Sequence, residues 1–487
     1  MATTTRSLKH PPLHEVQQKK EKSHMIARKH TLLSPGTSNI LSQSIHPGTS
    51  ATTNLTSPIM NGFRTRTTGL GHFNLNQPFG HNPFINVPSD VNRNPFRLLL
   101  LDLGYVVHLR TLLIKIILPI GPLISGPLDE LYPSSSNLKD LTLHTILLVT
   151  QIVLLASLPI LGALFWLVPA VVPIVFIVAF WIVTWFIMRL LNGPPTTECL
   201  VGLPDGLEPV NDEHELWFFI NGVATGRNWL QSNLNLLART FQREIVGIHN
   251  TTYGFIFDLL ECLIQRDLDY KSRDIRQGRA QIRAALAAPA TKKLVLILHS
   301  QGGIEGSSIL DWLLADMSHE VIGKLEIFTF GNAARHFNNP LVSKPTSPLI
   351  DESKGGPGER VIKHIEHYAN TEDFVANYGV LSFTSPQAQP FADGNAFFGS
   401  VFTREGSGHL LNMHYLDKMF TMVNGKVDED GNPFMNSLIP ARNSRDSTSN
   451  GELKMIKDLS RLWQYRNGLK PVDKVVSPPA ESNPLEN

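Results

Sequence analysis

The feature that most limits how this chain can fold is a run of 48 residues, Leu141 to Met188, without one Asp, Glu, Lys or Arg. A helix needs about 20 apolar residues to cross the hydrocarbon of a bilayer, so the run holds two such helices and a short turn. They are expected near Leu143–Leu164 and Ala170–Leu190. Gly162, Pro169 and Pro173 are the candidate breakers, because proline removes a helix hydrogen bond and clashes with the preceding turn. Trp166, Trp181 and Trp185 suit interfacial anchors. The alternative is a buried core hairpin of a soluble protein, which so long an uncharged run disfavours. The expected element over 141–192 is a transmembrane or membrane-inserted hairpin.

Charge frames the rest. Only 17% of the 487 residues are charged, against roughly 25% in soluble domains, which fits lipid-facing surface. A net charge of +1 removes any global case for nucleic acid as a partner. Two cysteines, Cys199 and Cys262, cannot build a disulfide framework. The near balance hides an asymmetry, since residues 1–95 carry ten basic against three acidic residues, a net +7. This stretch is rich in Thr, Ser, Asn and Pro, lacks apolar periodicity, and reads as a disordered basic tail. It has no secretory-type apolar segment near Met1.

Residues 96–140 read as an interfacial helix and linker. Phe96–Ile120 is mostly Leu, Ile and Val but carries Arg97, Asp102, His108, Arg110 and Lys115, charges that are costly at the bilayer centre. A core helix packed on the globular domain is the alternative. A hairpin puts both flanks on one side, and the basic tail favours the cytosol by the positive-inside rule. The expected location is an integral membrane protein of the endoplasmic reticulum or lipid droplet, its globular domain facing the cytosol. Asn54 and Asn250 lie in glycosylation-type triplets that this topology keeps from the lumen.

From Glu213 to Val423, short apolar runs alternate with helical spacing. Leu216–Ile220, Glu244–Ile248, Leu294–Leu298, Leu325–Phe330 and Val361–Tyr368 read as strands, with helices around Trp229–Phe241, Phe255–Leu263 and Ile304–Leu314. Leu294–Leu298 lacks alternation, as a central strand buried on both faces should. The expected class is α/β, a mainly parallel sheet with helices on both faces. Residues 424–487 are expected to hold one helix, Glu452–Gln464, and a disordered tail.

Directly after the Leu294–Leu298 strand comes His299-Ser300-Gln301-Gly302-Gly303, then a helical run. A serine on a sharp strand-to-helix turn has its Oγ lifted clear of the sheet, and the Gln301 N–H at a helix start faces a developing oxyanion. This segment resembles the nucleophile elbow of the α/β-hydrolase superfamily, in particular lipase-like serine esterases, although Leu298 stands where the family pattern has its first glycine. The resemblance extends over residues 213–423. Asn221-Gly222-Val223 stands where the family places its second oxyanion donor, which implies the Val223 N–H. Phe328-Thr329-Phe330-Gly331 resembles the strand and turn after the nucleophile helix in class 3 lipases.

His367-Tyr368-Ala369-Asn370-Thr371-Glu372-Asp373 resembles the strand-end acid segment of those lipases, which implies Asp373 as the acid. Gly408-His409-Leu410-Leu411-Asn412-Met413-His414 supplies the histidine. The chain order Ser300, Asp373, His409 is that of the family. His409, at the helix start, is favoured over His414; His299 is expected to point its ring away and to be structural.

The resemblance implies a serine esterase acting through an acyl-Ser300 intermediate, with no cofactor; joined to the expected hairpin, it suggests a membrane-anchored enzyme whose substrate is a lipid or other ester. Two alternatives stay open: an acyltransferase using the same serine, and a catalytically silent scaffold or lipid-binding module. No metal is expected, since His364 and His367 have no companion cluster. No phosphate-binding glycine loop is present.

Overall fold

The computed structural model describes residues 94–120, 126–194, 199–204, 209–210, 212–342, 360–384, 397–440 and 453–471. The basic tail expected over 1–95, with Asn54, lies outside the described residues up to 93, as does the tail after 471.

Helix α1 (Pro95–His108) begins at Asn94, whose side chain accepts from the Phe96 N–H at 3.0 Å, with proline at the first helical position. A 3-10 turn over Arg110–Ile116 follows. Helix α2 (Ser135–Leu167) is capped by Ser134 Oγ, which accepts from the Asn137 N–H at 3.1 Å. Helix α3 (Val171–Asn192) follows after a break at Pro169. Gly162 stays inside α2, together with Pro159, and Pro173 sits in the first turn of α3, where its missing N–H is no loss. Both helices are long and apolar enough to cross a membrane. Their base is docked on the rest of the protein. Gln151 Nε2 donates to Tyr253 O at 2.6 Å and Gln151 Oε1 accepts from the Ile256 N–H at 3.2 Å. Asn192 makes a matching pair with the backbone of Thr252 at 2.8 and 3.1 Å.

The remainder is an α/β unit. Strands β1 (Leu200–Gly202), β2 (Glu215–Ile220), β3 (Ile245–Ile248), β4 (Lys293–His299), β5 (Leu325–Phe330), β6 (His364–Asn370) and β7 (Ser400–Arg404) form one sheet in the order β1-β3-β2-β4-β5-β6-β7. Every neighbouring pair is parallel except β1 with β3. Helices α4 (Arg227–Phe241), α5 (Phe255–Asp267), α6 (Arg273–Ala287) and α7 (Gln301–Asp316) accompany it. Successive β4 residues point to opposite faces. Leu294, Leu296 and Leu298 join the core with α6 and α7, while Val295 and Ile297 join that with α4. Two covered faces explain the unbroken apolar run.

Two sequence expectations change. Asp102 does not lie along a membrane interface; it points into the α/β unit, 5% exposed, bonded to Arg335 at 2.7 Å, Arg266 at 2.9 Å and the Tyr378 hydroxyl at 2.8 Å. A buried carboxylate is tolerated there because two guanidinium groups compensate its charge. The other face of α1 leaves Phe96, Leu100 and Val107 exposed. At the far end, Glu452–Gln464 is not one helix. A strand at Leu453–Met455, a helical turn at Ile456–Leu459 and a 3-10 segment at Leu462–Gly468 replace it. Buried Glu366 on β6 draws the Arg461 and Leu462 N–H groups out of helical register at 2.5 and 3.1 Å. Leu462, Trp463 and Tyr465 then pack in the same core as Trp217 and Phe219, so the globular unit runs past residue 423.

Strand β4 runs straight into α7, and glycines set how close that helix lies. A Cβ at Gly302 would stand 2.4 Å from Ile220 O, one at Gly303 2.1 Å from Asn332 Oδ1, and one at Gly306 2.3 Å from Leu298 Cδ1. The leucine at 298 is thus housed in the space that Gly306 leaves one helical turn on. Gly306→Ala should lower stability by about 1–3 kcal/mol, as overpacking does. Adding Leu298→Ala should make the double variant more stable than the two single losses combined allow. Thermal unfolding of the detergent-solubilised protein checks this; simple additivity would contradict the contact.

Candidate active site

Ser300 caps α7 with φ 58° and ψ −121°, a conformation that L residues rarely adopt. It is held there from both sides. Its N–H donates to Phe330 O at 3.1 Å, and its carbonyl accepts from Gly303 and Ala333 N–H at 2.9 and 3.2 Å. Gly222 lies against it, since a Cβ at 222 would stand 2.4 Å from Ser300 Cβ and 2.9 Å from Oγ. Only glycine permits that approach. Gln301 is the first residue of α7, so its N–H is among the helix donors that lack an intrahelical acceptor. Val223 follows Gly222 in the turn after β2.

The other two residues come from the ends of β6 and of a loop beyond β7. Asp373 is fully buried, and its Oδ2 stands 2.7 Å from His409 Nδ1. The same oxygen accepts from the Tyr415 hydroxyl at 2.6 Å, and Oδ1 accepts from the Val375 N–H at 2.8 Å. With Nδ1 on the carboxylate, His409 Nε2 remains, buried and without a hydrogen-bond partner among the described residues. Gly331 (φ 53°) makes room for the pair: a Cβ there would be 2.9 Å from both Asp373 Oδ2 and His409 Nδ1. Tyr415 belongs to a π-helical turn, Leu411–Leu416, a rare geometry found at functional sites.

The two histidines weighed against His409 are otherwise engaged. His414 Nδ1 accepts from the Leu410 N–H at 3.1 Å and its Nε2–H donates to Pro119 O at 3.0 Å, so neither nitrogen is free. Burial pushes its pKa down to about 4. His299 does not turn its ring away. The ring stacks on His409 at 4.8 Å between centroids, and its Nε2–H donates to His409 O at 2.8 Å. Burial, reinforced by His409, holds it well below the usual histidine range. It is a neutral brace under His409. His367 is also tied down, with Nδ1 accepting from Thr329 Oγ1 at 2.8 Å and Nε2 donating to Phe398 O at 3.2 Å.

Sequence reading missed the polar framework beneath the serine. Asn221 clamps the turn after β2 to the end of β3: its Nδ2 donates to Asn250 O at 2.8 Å and its Oδ1 accepts from the Asn250 N–H at 2.9 Å. Asn250 Nδ2 donates to Gln301 Oε1 at 2.8 Å, and Gln301 Nε2 donates to Gln265 Oε1 at 3.0 Å. With its amide buried and bonded, Asn250 cannot carry a glycan in the folded protein, so it does not report sidedness. Asp258 accepts from the Ala224 N–H at 2.8 Å, which pins the turn that carries Val223. No local sequence pattern marks these partners, because they come from separate loops.

Carboxyls crowd below this framework. Burial, then Asp274 and Asp258, raise Glu261 to about 7. Burial raises Asp258 to about 6 and Glu305 well above the ordinary value. Among the described residues, no three His, Cys, Asp or Glu side chains are arranged to hold a metal. A raised folded-state pKa contributes stability that is complete below the unfolded carboxyl range and is lost as pH rises through about 7. Glu261→Gln should therefore raise the unfolding temperature at pH 8 and change it little at pH 4. An equal shift at both values would contradict the crowding.

Comparison with protein-family models, curated proteins and solved structures returns no match for this chain, so a functional reading rests on the geometry of the site.

Proposed function

We propose that the protein is a membrane-anchored serine hydrolase of the α/β-hydrolase type that cleaves carboxylic esters, with lipid esters as the substrate class. The observation that carries the reading is the Asp373–His409 hydrogen bond of 2.7 Å, which leaves His409 Nε2 buried and unpaired among the described residues, while His414 has both ring nitrogens bonded. Ser300 Oγ attacks the ester carbonyl while His409 Nε2 takes the hydroxyl proton. Negative charge gathers on the carbonyl oxygen and is met by the N–H groups of Gln301 and Val223. Asp373, steadied by Tyr415, stabilises the imidazolium. Collapse breaks the ester bond, and His409 returns its proton to the departing alcohol. Water, deprotonated by His409, then releases the acid from Ser300. An alcohol in place of water would make the same site an acyltransferase, and a silent scaffold would have no use for the open nitrogen.

The hairpin supports the lipid reading. From Ile152 the side chains of α2 and α3 are mostly exposed and apolar. The undocked parts, Ile152–Leu167 and Val171–Phe186, reach about 24 Å each, short of the roughly 30 Å hydrocarbon layer. Between Ser157 and Thr184 the only polar groups are the indole N–H groups of Trp166 and Trp181. With the two indole N–H groups as its only side-chain polar atoms, we read the hairpin as entering from one face and turning within the bilayer. The net +7 of residues 1–95 favours the cytosol for both flanks by the positive-inside rule, so the proposed place of the hydrolase unit is the cytosolic face of the endoplasmic reticulum or a lipid droplet.

Ser300→Ala and His409→Ala should each lower the release of free acid from a short-chain ester by about 10⁴-fold or more, while Asp373→Asn costs less. His414→Ala should keep at least a tenth of the activity. An active His409→Ala beside a folded, inactive His414→Ala would reverse the assignment, and a new ester in place of free acid would identify a transferase.

Topology is read on microsomes. Protease should digest the hydrolase unit without detergent, and a cysteine at Pro169 should stay unreactive to an impermeant maleimide added on either side. Protection of the unit, or labelling from the lumen, would overturn this placement.

A further inference from the structure

We infer that the strap Leu109–Ile120 is a second bilayer contact, and that this contact holds the loop carrying His409 in place. The inference rests on the membrane-hydrolase reading. The strap has two faces. Inward, Leu109, Leu112 and Ile116 pack with Phe374 and Tyr378, just beyond Asp373. Its backbone then bonds the histidine loop directly: Gly408 N–H donates to Lys115 O and His409 N–H to Ile116 O, both at 2.9 Å. The Pro119 carbonyl accepts from His414 at 3.0 Å, and Lys115 Nζ pairs with Glu372, next to Asp373, at 2.8 Å. The linker that follows grips the same loop, with Glu130 accepting from the Asn412 and Met413 N–H groups at 3.0 and 3.2 Å. No other described segment supplies backbone acceptors to both Gly408 and His409.

Outward, from residue 113 the strap is mostly hydrocarbon: Leu113 is 42% exposed, Ile114 70%, Ile117 50% and Ile120 55%, with Arg110 and Thr111 exposed at its start. An apolar group of this kind, placed over a catalytic loop, marks an interaction surface. A bilayer is the occupant that the surroundings specify. Helix α5 joins the strap's neighbourhood to the hairpin, being tied to α2 at its start through Gln151 and to α1 near its end through Arg266 and Asp102. Leu259 and Leu260, 40% and 51% exposed, line the stretch between. Exposed apolar side chains thus recur from the hairpin to the strap, and the exposed cations Arg97, in α1, and Arg110, at the start of the strap, suit contact with lipid headgroups. Seated in the interface, the strap is ordered by lipid on one face while its other face orders His409.

The test uses the full chain in phosphatidylcholine nanodiscs, with Cys199 and Cys262 replaced by alanine. A nitrobenzoxadiazole probe on Ile114→Cys or Ile117→Cys should be quenched by doxyl-labelled lipid, and one on Asp430→Cys should not. Unquenched probes at 114 and 117 would overturn the contact. For the coupling, Ile114→Asp/Ile117→Asp should slow fluorophosphonate labelling of Ser300 about tenfold with the unfolding temperature unchanged. His409→Ala should then slow that variant less than it slows the wild type, because the histidine is already displaced. Equal labelling rates, or strict additivity with His409→Ala, would overturn the coupling. If the wild type takes no label at Ser300, the hydrolase reading fails, while the quenching result still decides the bilayer contact.

Discussion

The site depends on how closely α7 approaches the carboxyl ends of β2 and β4. Gly302 and Gly306 let the helix lie against Ile220 O and Leu298, and Gly222 lets the turn after β2 close on Ser300. With helix and turn that near, the chain passes from β4 into α7 through a residue of positive φ. Ser300 takes that conformation at φ 58° and is held in it by three backbone hydrogen bonds. Such strain persists only where the surroundings over-determine it. Here it sets the Ser300 side chain against Gly222, at the start of α7.

A second constraint is electrostatic. Asp102 would be costly to bury alone, yet with Arg266 and Arg335 it locks α1 onto the α/β unit. That lock fixes where the strap begins, and the strap bonds the histidine loop. The N-terminal segment is thus part of the fold that positions His409, not a tether appended to it. The hairpin is docked by neutral amide hydrogen bonds, through Gln151 and Asn192, so helices α2 and α3 are also fixed to the α/β unit by polar contacts.

Much of this was legible in the sequence where a single segment carries the signal. The strands LWFFI, LVLIL and LEIFTF appear within a residue of expectation because an apolar run bounded by turns has few other solutions. Ser300, Asp373 and His409 each sit at a strand end or loop that motif order identifies, and the last two meet in the structure. What could not be read are partnerships across the fold. Tyr415 on Asp373, His299 beneath His409 and Asp258 on the turn at Ala224 join residues 34 to 110 positions apart, with no periodicity to reveal them. Asp102 misled for a related reason, since a charge in an apolar helix suggests an interface until its two arginines are seen. Glu452–Gln464 shows helical composition, but contacts with Glu366 override it.

The central claim is that Ser300 is an activated nucleophile, and covalent capture tests it most directly. The detergent-solubilised protein would be treated with a fluorophosphonate, digested, and the adduct located by peptide mass spectrometry. The account predicts one stoichiometric adduct, on the peptide holding His299-Ser300-Gln301, that is absent from heat-unfolded protein. An unmodified Ser300 in folded protein, or an adduct on another serine, would contradict it.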